Sequence, residues 1–156
     1  MSATAPQFIS KLWNDAFTQG LWAASWSKSI EGLSASQASW QPPTSDGASR
    51  RHSIWQIVLH MCLWREHWLR KLNGQTTPKE VLERENFPEI TDSSEGAWAA
   101  ARARFVESQK RIGAALASND TSAEHMNAIS HFLPHDSYHF GQINYLRALQ
   151  GLAPIE

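Results

Sequence analysis

The sequence predicts an all-α fold, a four-helix bundle, from three observations. Apolar residues recur at three- and four-residue intervals in four separate stretches, which is the period of a helix burying one face. Capping patterns or turn residues punctuate those stretches, and no segment shows the alternation of a half-buried strand. At 156 residues the chain is the size of one ordinary domain, taken as residues 1–156, and can bury about two thirds of its unfolded surface in a single core. Four amphipathic helices satisfy one another best as a bundle, and the longer connections leave room for one to cross over its end.

The first predicted helix runs from about Gln7 to Leu33, with Leu12, Trp13, Ala16, Phe17, Ala24 and Ile30 on its apolar positions and no Pro after residue 6. Ser34 to Ser49 collects Ser, Gln41-Pro42-Pro43, Asp46 and Gly47, the composition of a loop, with Trp40 as its anchor. Ser53 and Gln56 form an S-x-x-Q capping box ahead of Ile57, Val58, Met61, Trp64, Trp68 and Leu72, and Asn73-Gly74 stops this second helix. Gln75 to Thr91 is a connector with a short helical turn around Glu80 to Glu85. Asp92 and Glu95 make a cap pair for the third helix, whose face is Trp98, Ala101, Phe105, Ile112 and Leu116, ending at Asn119-Asp120. The fourth helix starts near Ser130, which puts Pro134 in its first turn, where a missing N–H costs little, and it ends at Gly151.

Composition narrows the function. Fourteen Lys+Arg against fifteen Asp+Glu, with no basic run, provide little electrostatic footprint for nucleic acid or anionic lipid. A lone Cys62 excludes an intrachain disulfide and is expected in the core; with no leader and no apolar run of membrane length, the chain reads as soluble and cytoplasmic. Eight Trp are more than a core of this size needs, so some are available for a pocket or a subunit interface. A homodimer is expected, through helix-one aromatics such as Trp22 or Trp26 that depart from that helix's main stripe.

The residues that carry chemistry are histidines. His135 and His139 fall on the stripe Phe132, His135, His139, Gln142 or Ile143, Leu146 and Leu149. Four residues are 1.1 turns, so the two imidazoles stand ~6 Å apart on one face and can converge on an ion. Seven His in the chain give roughly 0.3 such pairs by chance, so the weight rests on their place among apolar residues. A third ligand must come from another helix, and His60, on the stripe Ile57, His60, Trp64, is the first candidate. His67 is the second, one heptad along; His52, His125 and His131 lie in loops or at helix ends and read as solvated. Taken singly, a histidine on an apolar stripe is more often a neutral imidazole bonded to a carbonyl or carboxylate.

Other chemistries lack support. No Glu-x-x-His, HExxH, CxxC, Gly-rich phosphate loop or G-x-S-x-G occurs, which argues against di-iron, zincin, zinc-ribbon, nucleotide and serine-hydrolase sites.

The segments Ser53-Ile54-Trp55-Gln56-Ile57-Val58-Leu59-His60-Met61 and His135-Asp136-Ser137-Tyr138-His139-Phe140-Gly141-Gln142-Ile143 together resemble the DinB-like (DinB/YfiT-like) superfamily of metalloenzymes, over most of the chain. Pro134, directly before the first distal His, departs from the usual pattern. The resemblance implies an up-down-down-up four-helix bundle, frequently dimeric, with one divalent ion on a triad that maps to His60, His135 and His139. It also implies a class of activity, since similar proteins include thiol-dependent S-transferases and isomerases that use low-molecular-weight thiols.

Three neutral His ligands leave coordination positions open, as in catalytic rather than sealed structural sites. The expected ion is Zn2+ or Ni2+, with Fe2+ or Mn2+ after them. It could activate a thiol for S-transfer to a small-molecule substrate, or water for hydrolysis. The third alternative is a non-catalytic metal-binding or stress-response protein. Gln142, one turn after His139, is the candidate hydrogen-bond partner to a ligand; Trp64 is a candidate pocket wall, and Gly141 a place for close helix packing.

Overall fold

Ser53 and Gln56 start the best-buried helix of the molecule as their pattern requires: Ser53 Oγ accepts from Gln56 N–H at 3.2 Å and Gln56 Oε1 accepts from Ser53 N–H at 3.0 Å. The computed structural model describes residues 4–44, 51–118 and 121–155. Among them the order is α1 (Ala5–Thr18), α2 (Trp26–Ile30), α3 (Ala35–Ser39), α4 (Ile54–Leu72), α5 (Lys79–Glu85), α6 (Glu95–Ala117), α7 (Ala123–Ser130) and α8 (Phe132–Leu149), with no strand. The four longest helices pack in a ring: α1 on α6, α6 on α4, α4 on α8 and α8 on α1. The fold is thus all-helical, and no described helix is long and apolar enough to cross a membrane.

The first predicted helix is two. α1 ends at Thr18, and the chain turns through Gly20 at φ 84° and Trp22 at φ 63° before Ser25 caps α2. A Cβ on residue 20 would lie 2.0 Å from the carbonyl oxygen of Ala23, so only glycine permits this turn. Apolar periodicity resumes in phase beyond the break, which is why it reads as one helix. The same turn decides between the proposed interface aromatics. Trp26 is buried, stacked on Phe140 with centroids 5.3 Å apart and meeting Trp13 edge-on at 5.1 Å, so it belongs to the core and is not available to a partner. Trp22 is fully exposed.

Three other boundaries shift. The loop after Leu33 contains α3, started by a second capping box of Ser34 with Gln37, and Trp40 at its end packs against the core. Asp46, Gly47 and Ser49 of that loop, and the Asn119-Asp120 stop, lie outside the described residues. Ser94, not Asp92, caps α6: its Oγ accepts from Ala97 N–H at 3.2 Å, while Asp92 holds Ser94 N–H at 2.9 Å. Before the fourth long helix stands α7, capped by Ser122, with His131 alone between it and α8. Pro134 sits in the first turn of α8 as expected. Gly141 is exposed with open space where a Cβ would be; close approach through a glycine occurs instead at Gly113, where a Cβ would lie 3.4 Å from the Trp13 ring.

The core runs through the ring, with Trp13, Trp98, Phe105, Met61, Ile112 and Ile143 fully buried. Two indole donors are satisfied by backbone: Trp13 Nε1 donates to Gln109 O at 3.0 Å and Trp98 Nε1 to Leu33 O at 2.8 Å, the latter tying the α2–α3 corner to α6. Cys62 is wholly buried, as expected.

Candidate metal centre

α4 and α8 face each other, and the contact brings His60 against His135 and His139. One nitrogen from each of the three rings lies within 4.8 Å of the others, and His60 Nε2 stands 3.3 Å from His135 Nε2. His67 is outside the cluster, half-buried on α4 with its ring edge-on to Trp64 and Trp68. His125 is in the first turn of α7 and His131 is exposed at the α7–α8 junction. His52 is exposed yet not simply solvated: it stacks flat on Phe87 at 3.7 Å, and Phe87 in turn stacks flat on His60 at 4.1 Å.

Each Nδ1 of the triad is held by an oxygen. His60 Nδ1 is 2.6 Å from Asn86 Oδ1, His135 Nδ1 is 2.7 Å from Asp136 Oδ1, and His139 Nδ1 is 2.7 Å from Gln142 Oε1. These partners set the tautomers. The carboxylate of Asp136 can only accept, so His135 Nδ1 carries a proton. Asn86 Oδ1 also receives Trp64 Nε1–H at 3.3 Å, which identifies that atom as the amide oxygen and makes His60 Nδ1 a donor too. Neutral rings so arranged turn the bare lone pairs of His60 Nε2 and His135 Nε2 toward each other at 3.3 Å. Two acceptors at that distance repel unless a cation lies between them. The edge of a tetrahedron of nitrogens ~2.0–2.1 Å from a zinc ion is ~3.3–3.4 Å, so the His60–His135 spacing and the three-imidazole donor set fit a divalent ion of that size.

Electrostatics agree. Burial pushes His60 down to about 4, with His139 and His135 beside it acting in the same direction and the Asn86 bond opposing. His139 is lowered for the same first reason, burial. His60 and His139 therefore stay unprotonated at neutral pH, the form a metal needs. Burial raises the Cys62 thiol to about 11, so the chain's only cysteine stays protonated and sealed away.

A cleft of about 1010 Å³ opens beside His60 and His139. Its wall is mostly apolar, with Trp40, Ile57, Phe87, Tyr138, Tyr145 and Leu146 among its residues, and Arg51 and His52 at its polar part. Trp64 is not in that wall; it stands behind His60, edge-on at 6.4 Å and bonded to Asn86. Gln142 is both cleft wall and His139 partner, and its amide nitrogen donates to Tyr138 Oη at 3.2 Å.

Sequence reasoning missed Asn86, Phe87, Asp136 and Arg65. Asn86 and Phe87 follow α5, where Phe87 takes φ 56° and Gln56 Nε2 donates to Pro88 O at 3.0 Å, pinning the turn against the start of α4. No motif marks them. Asp136 and Arg65 did leave a signal, since each puts a charge on an apolar stripe: Phe132, Asp136, Phe140, Ile143 on α8 and Met61, Arg65, Leu69 on α4. The buried stripe of α8 is accordingly rotated by about one residue from the expected one, leaving His135 part-exposed and Leu149 on the surface.

Among the described residues the structure is all-helical, and it gathers three histidines beside an open cleft in positions that could hold a metal ion. A family model of the DinB superfamily matches residues 21–153, and the chain belongs to that superfamily. No curated protein and no solved structure matches it.

Proposed function

We propose that His60, His135 and His139 hold one divalent ion, Zn2+ or Ni2+ first, and that the protein is a thiol-dependent S-transferase acting on a small organic molecule in the adjoining cleft. The observation that carries this reading is the pair of bare Nε2 lone pairs 3.3 Å apart beside a largely apolar cleft. A divalent ion there supplies Lewis acidity, lowering the pKa of a thiol or of water.

The chain's own residues do the rest. Asn86, Asp136 and Gln142 keep the Nδ1 protons in place and so leave the Nε2 lone pairs of three clustered rings free for an ion. Phe87 shields His60 on one face, and Ile57 and Leu146 offer apolar wall to an organic partner. Because Cys62 is buried and its thiol protonated, the sulfur nucleophile must arrive with a co-substrate, a low-molecular-weight thiol. Its sulfur forms the new bond to carbon, the leaving group departs with its electron pair, and the thiol proton passes to water. The resemblance to a family that includes thiol S-transferases supports the sulfur reading, and the apolar wall supports an organic acceptor over an ion or a polymer. Hydrolysis is the second reading, since an ion held by three histidines alone would have room for water as well as for a thiol.

The bundle sense belongs to the same proposal. Trp13 to Gln109 and Phe17 to Phe105 run α1 against α6, Trp55 to Trp98 and Arg65 to Ser108 run α4 along α6, and His60 to His139 with Arg65 to Asp136 run α8 against α4. This pattern supports up-down-down-up. A homodimer through exposed Trp22 is also part of the reading, and light scattering at tens of micromolar that finds only monomer would remove it.

The test of activity uses untagged, metal-reconstituted protein incubated with several cellular thiols and an activated aryl halide, with thioether read by mass spectrometry. Thioether formation that needs both metal and thiol is expected. Ester cleavage without any thiol would replace S-transfer by hydrolysis, and turnover of neither would leave a metal-binding protein.

A further inference from the structure

Beneath the triad lies a charge that the proposed chemistry does not use. Arg65 is fully buried, and a buried guanidinium is expensive unless its surroundings answer it. Here a carboxylate, a hydroxyl and two aromatic rings do so. Nε donates to Asp136 Oδ2 at 2.8 Å, and Nη2 lies 2.7 Å from the same oxygen, close enough for attraction though not aligned for a hydrogen bond. Nη1 donates to Ser108 Oγ at 3.1 Å, and the guanidinium carbon sits 4.3 Å from the Phe105 ring centre and 4.8 Å from that of Trp13. These contacts fix the guanidinium against Asp136. It claims Oδ2 of Asp136 and leaves Oδ1 for His135 Nδ1 at 2.7 Å.

We infer that Arg65 is a positioning residue for the metal site: through Asp136 it dictates which nitrogen of His135 carries the proton, and so keeps Nε2 bare. The consequence for metal rests on the reading given under the proposed function; the tautomer itself does not. An ion pair that only fastened α4 to α8 would be indifferent to the side of the His135 ring on which the proton sits. The arrangement seen here is not indifferent, because one oxygen of a two-oxygen group is spent on a cation and the other on a ring N–H.

Asp136→Asn separates the two roles. Asparagine offers one oxygen and one NH2 group. Arg65, with two nitrogens at the Oδ2 position, takes the oxygen, since an NH2 there would face two donors. The NH2 must then face His135 Nδ1, which can only respond by becoming an acceptor and moving its proton to Nε2. Removing the cation as well, in Arg65→Met/Asp136→Asn, frees the amide to turn, and Zn(II), which needs the Nε2 lone pair, selects the form with the proton on Nδ1.

The experiment reads the histidine ring nitrogens of the full chain by long-range proton–nitrogen NMR in the metal-free state, and Zn(II) affinity by competition with a chromophoric chelator. Wild type should show His135 protonated on Nδ1. Asp136→Asn should show it on Nε2, with Zn(II) affinity down by about 10- to 100-fold or more. The double variant should recover most of that loss despite lacking one more native side chain. An Nδ1–H tautomer in Asp136→Asn, or a double variant that binds Zn(II) no more tightly than the single, would overturn the inference. If Asp136→Asn does not fold, Arg65→Lys/Asp136→Asn keeps a cation on the amide oxygen. It should bind Zn(II) more weakly than Arg65→Met/Asp136→Asn, and equal or tighter binding would overturn the inference equally. Wild type that binds no Zn(II) defeats the metal reading alone, because the tautomer is read without metal.

Discussion

The triad is supported from two sides that differ in kind. On the interior side, His135 hangs on Asp136, a fully buried carboxylate gripped by Arg65, and both belong to long helices at apolar positions. On the cleft side, His60 rests on Asn86 and Phe87, supplied by the turn after α5 with one residue at φ 56°, and His139 rests on half-exposed Gln142. Regular helices give the first support its rigidity. The second is held by a few hydrogen bonds and a ring stack, so it can vary without repacking the core. The contrast separates what must stay fixed, the direction of the lone pairs, from what can be adapted to a ligand, the wall of the cleft.

The largest effects should come from the rings themselves. Replacing His60, His135 or His139 by Ala should weaken metal affinity by more than about 100-fold, beyond what loss of a ligand's hydrogen-bond partner typically costs. His67→Ala, His125→Ala and His131→Ala should leave it almost unchanged, because none of the three is in the cluster. Gln142→Ala should fall between the two groups; equilibrium competition with a chelator ranks all seven. Abolition by His67→Ala with His60→Ala harmless would move the site along α4.

Acid should act next. The folded His60 sits at about 4 against an ordinary value of 6.5, so the unfolded chain binds the extra proton over that interval. Its share of stability in the metal-free chain is therefore present above pH 6.5 and lost as pH falls toward 4, on the order of 2–3 kcal/mol, and His139 adds in the same direction. Denaturant melts of chelator-treated protein from pH 7 to 4.5 should show the fall, and His60→Gln should flatten it. An equal slope in that variant would assign the acid sensitivity elsewhere.

The smallest effect tests the strained side. At φ 56°, Phe87 occupies a backbone region that costs an L residue about 1 kcal/mol or more, while glycine adopts it freely. Both Phe87→Ala and Phe87→Gly lose the stack on His60, but the glycine variant should be the more stable of the two by about 1 kcal/mol. Thermal melts in which alanine is equal or better would remove the strain from the account.

Much of this was legible because it is local. The Ser53–Gln56 box, the Asn73-Gly74 stop and the short helix near Glu80 follow from residues within one turn of each other, and the three histidines stood out as metal-binding side chains on apolar stripes. The break at Gly20 was hidden because Ala24 and Ile30 continue the apolar period beyond it; the glycine itself was the only mark of the turn. Arg65 and Asp136 were readable as two opposite charges on two buried faces, although which oxygen serves which partner is a matter of tertiary geometry. Asn86 and Phe87 were not readable at all, since a turn 26 residues from His60 brings Asn86 to it.

The most direct test of the central claim is elemental analysis of the untagged chain after reconstitution with Zn(II) and removal of excess metal. One ion per chain, lost in His60→Ala, His135→Ala and His139→Ala, is the expected result. No retained ion, two per chain, or one ion that persists when all three histidines are replaced would contradict a single triad-held metal.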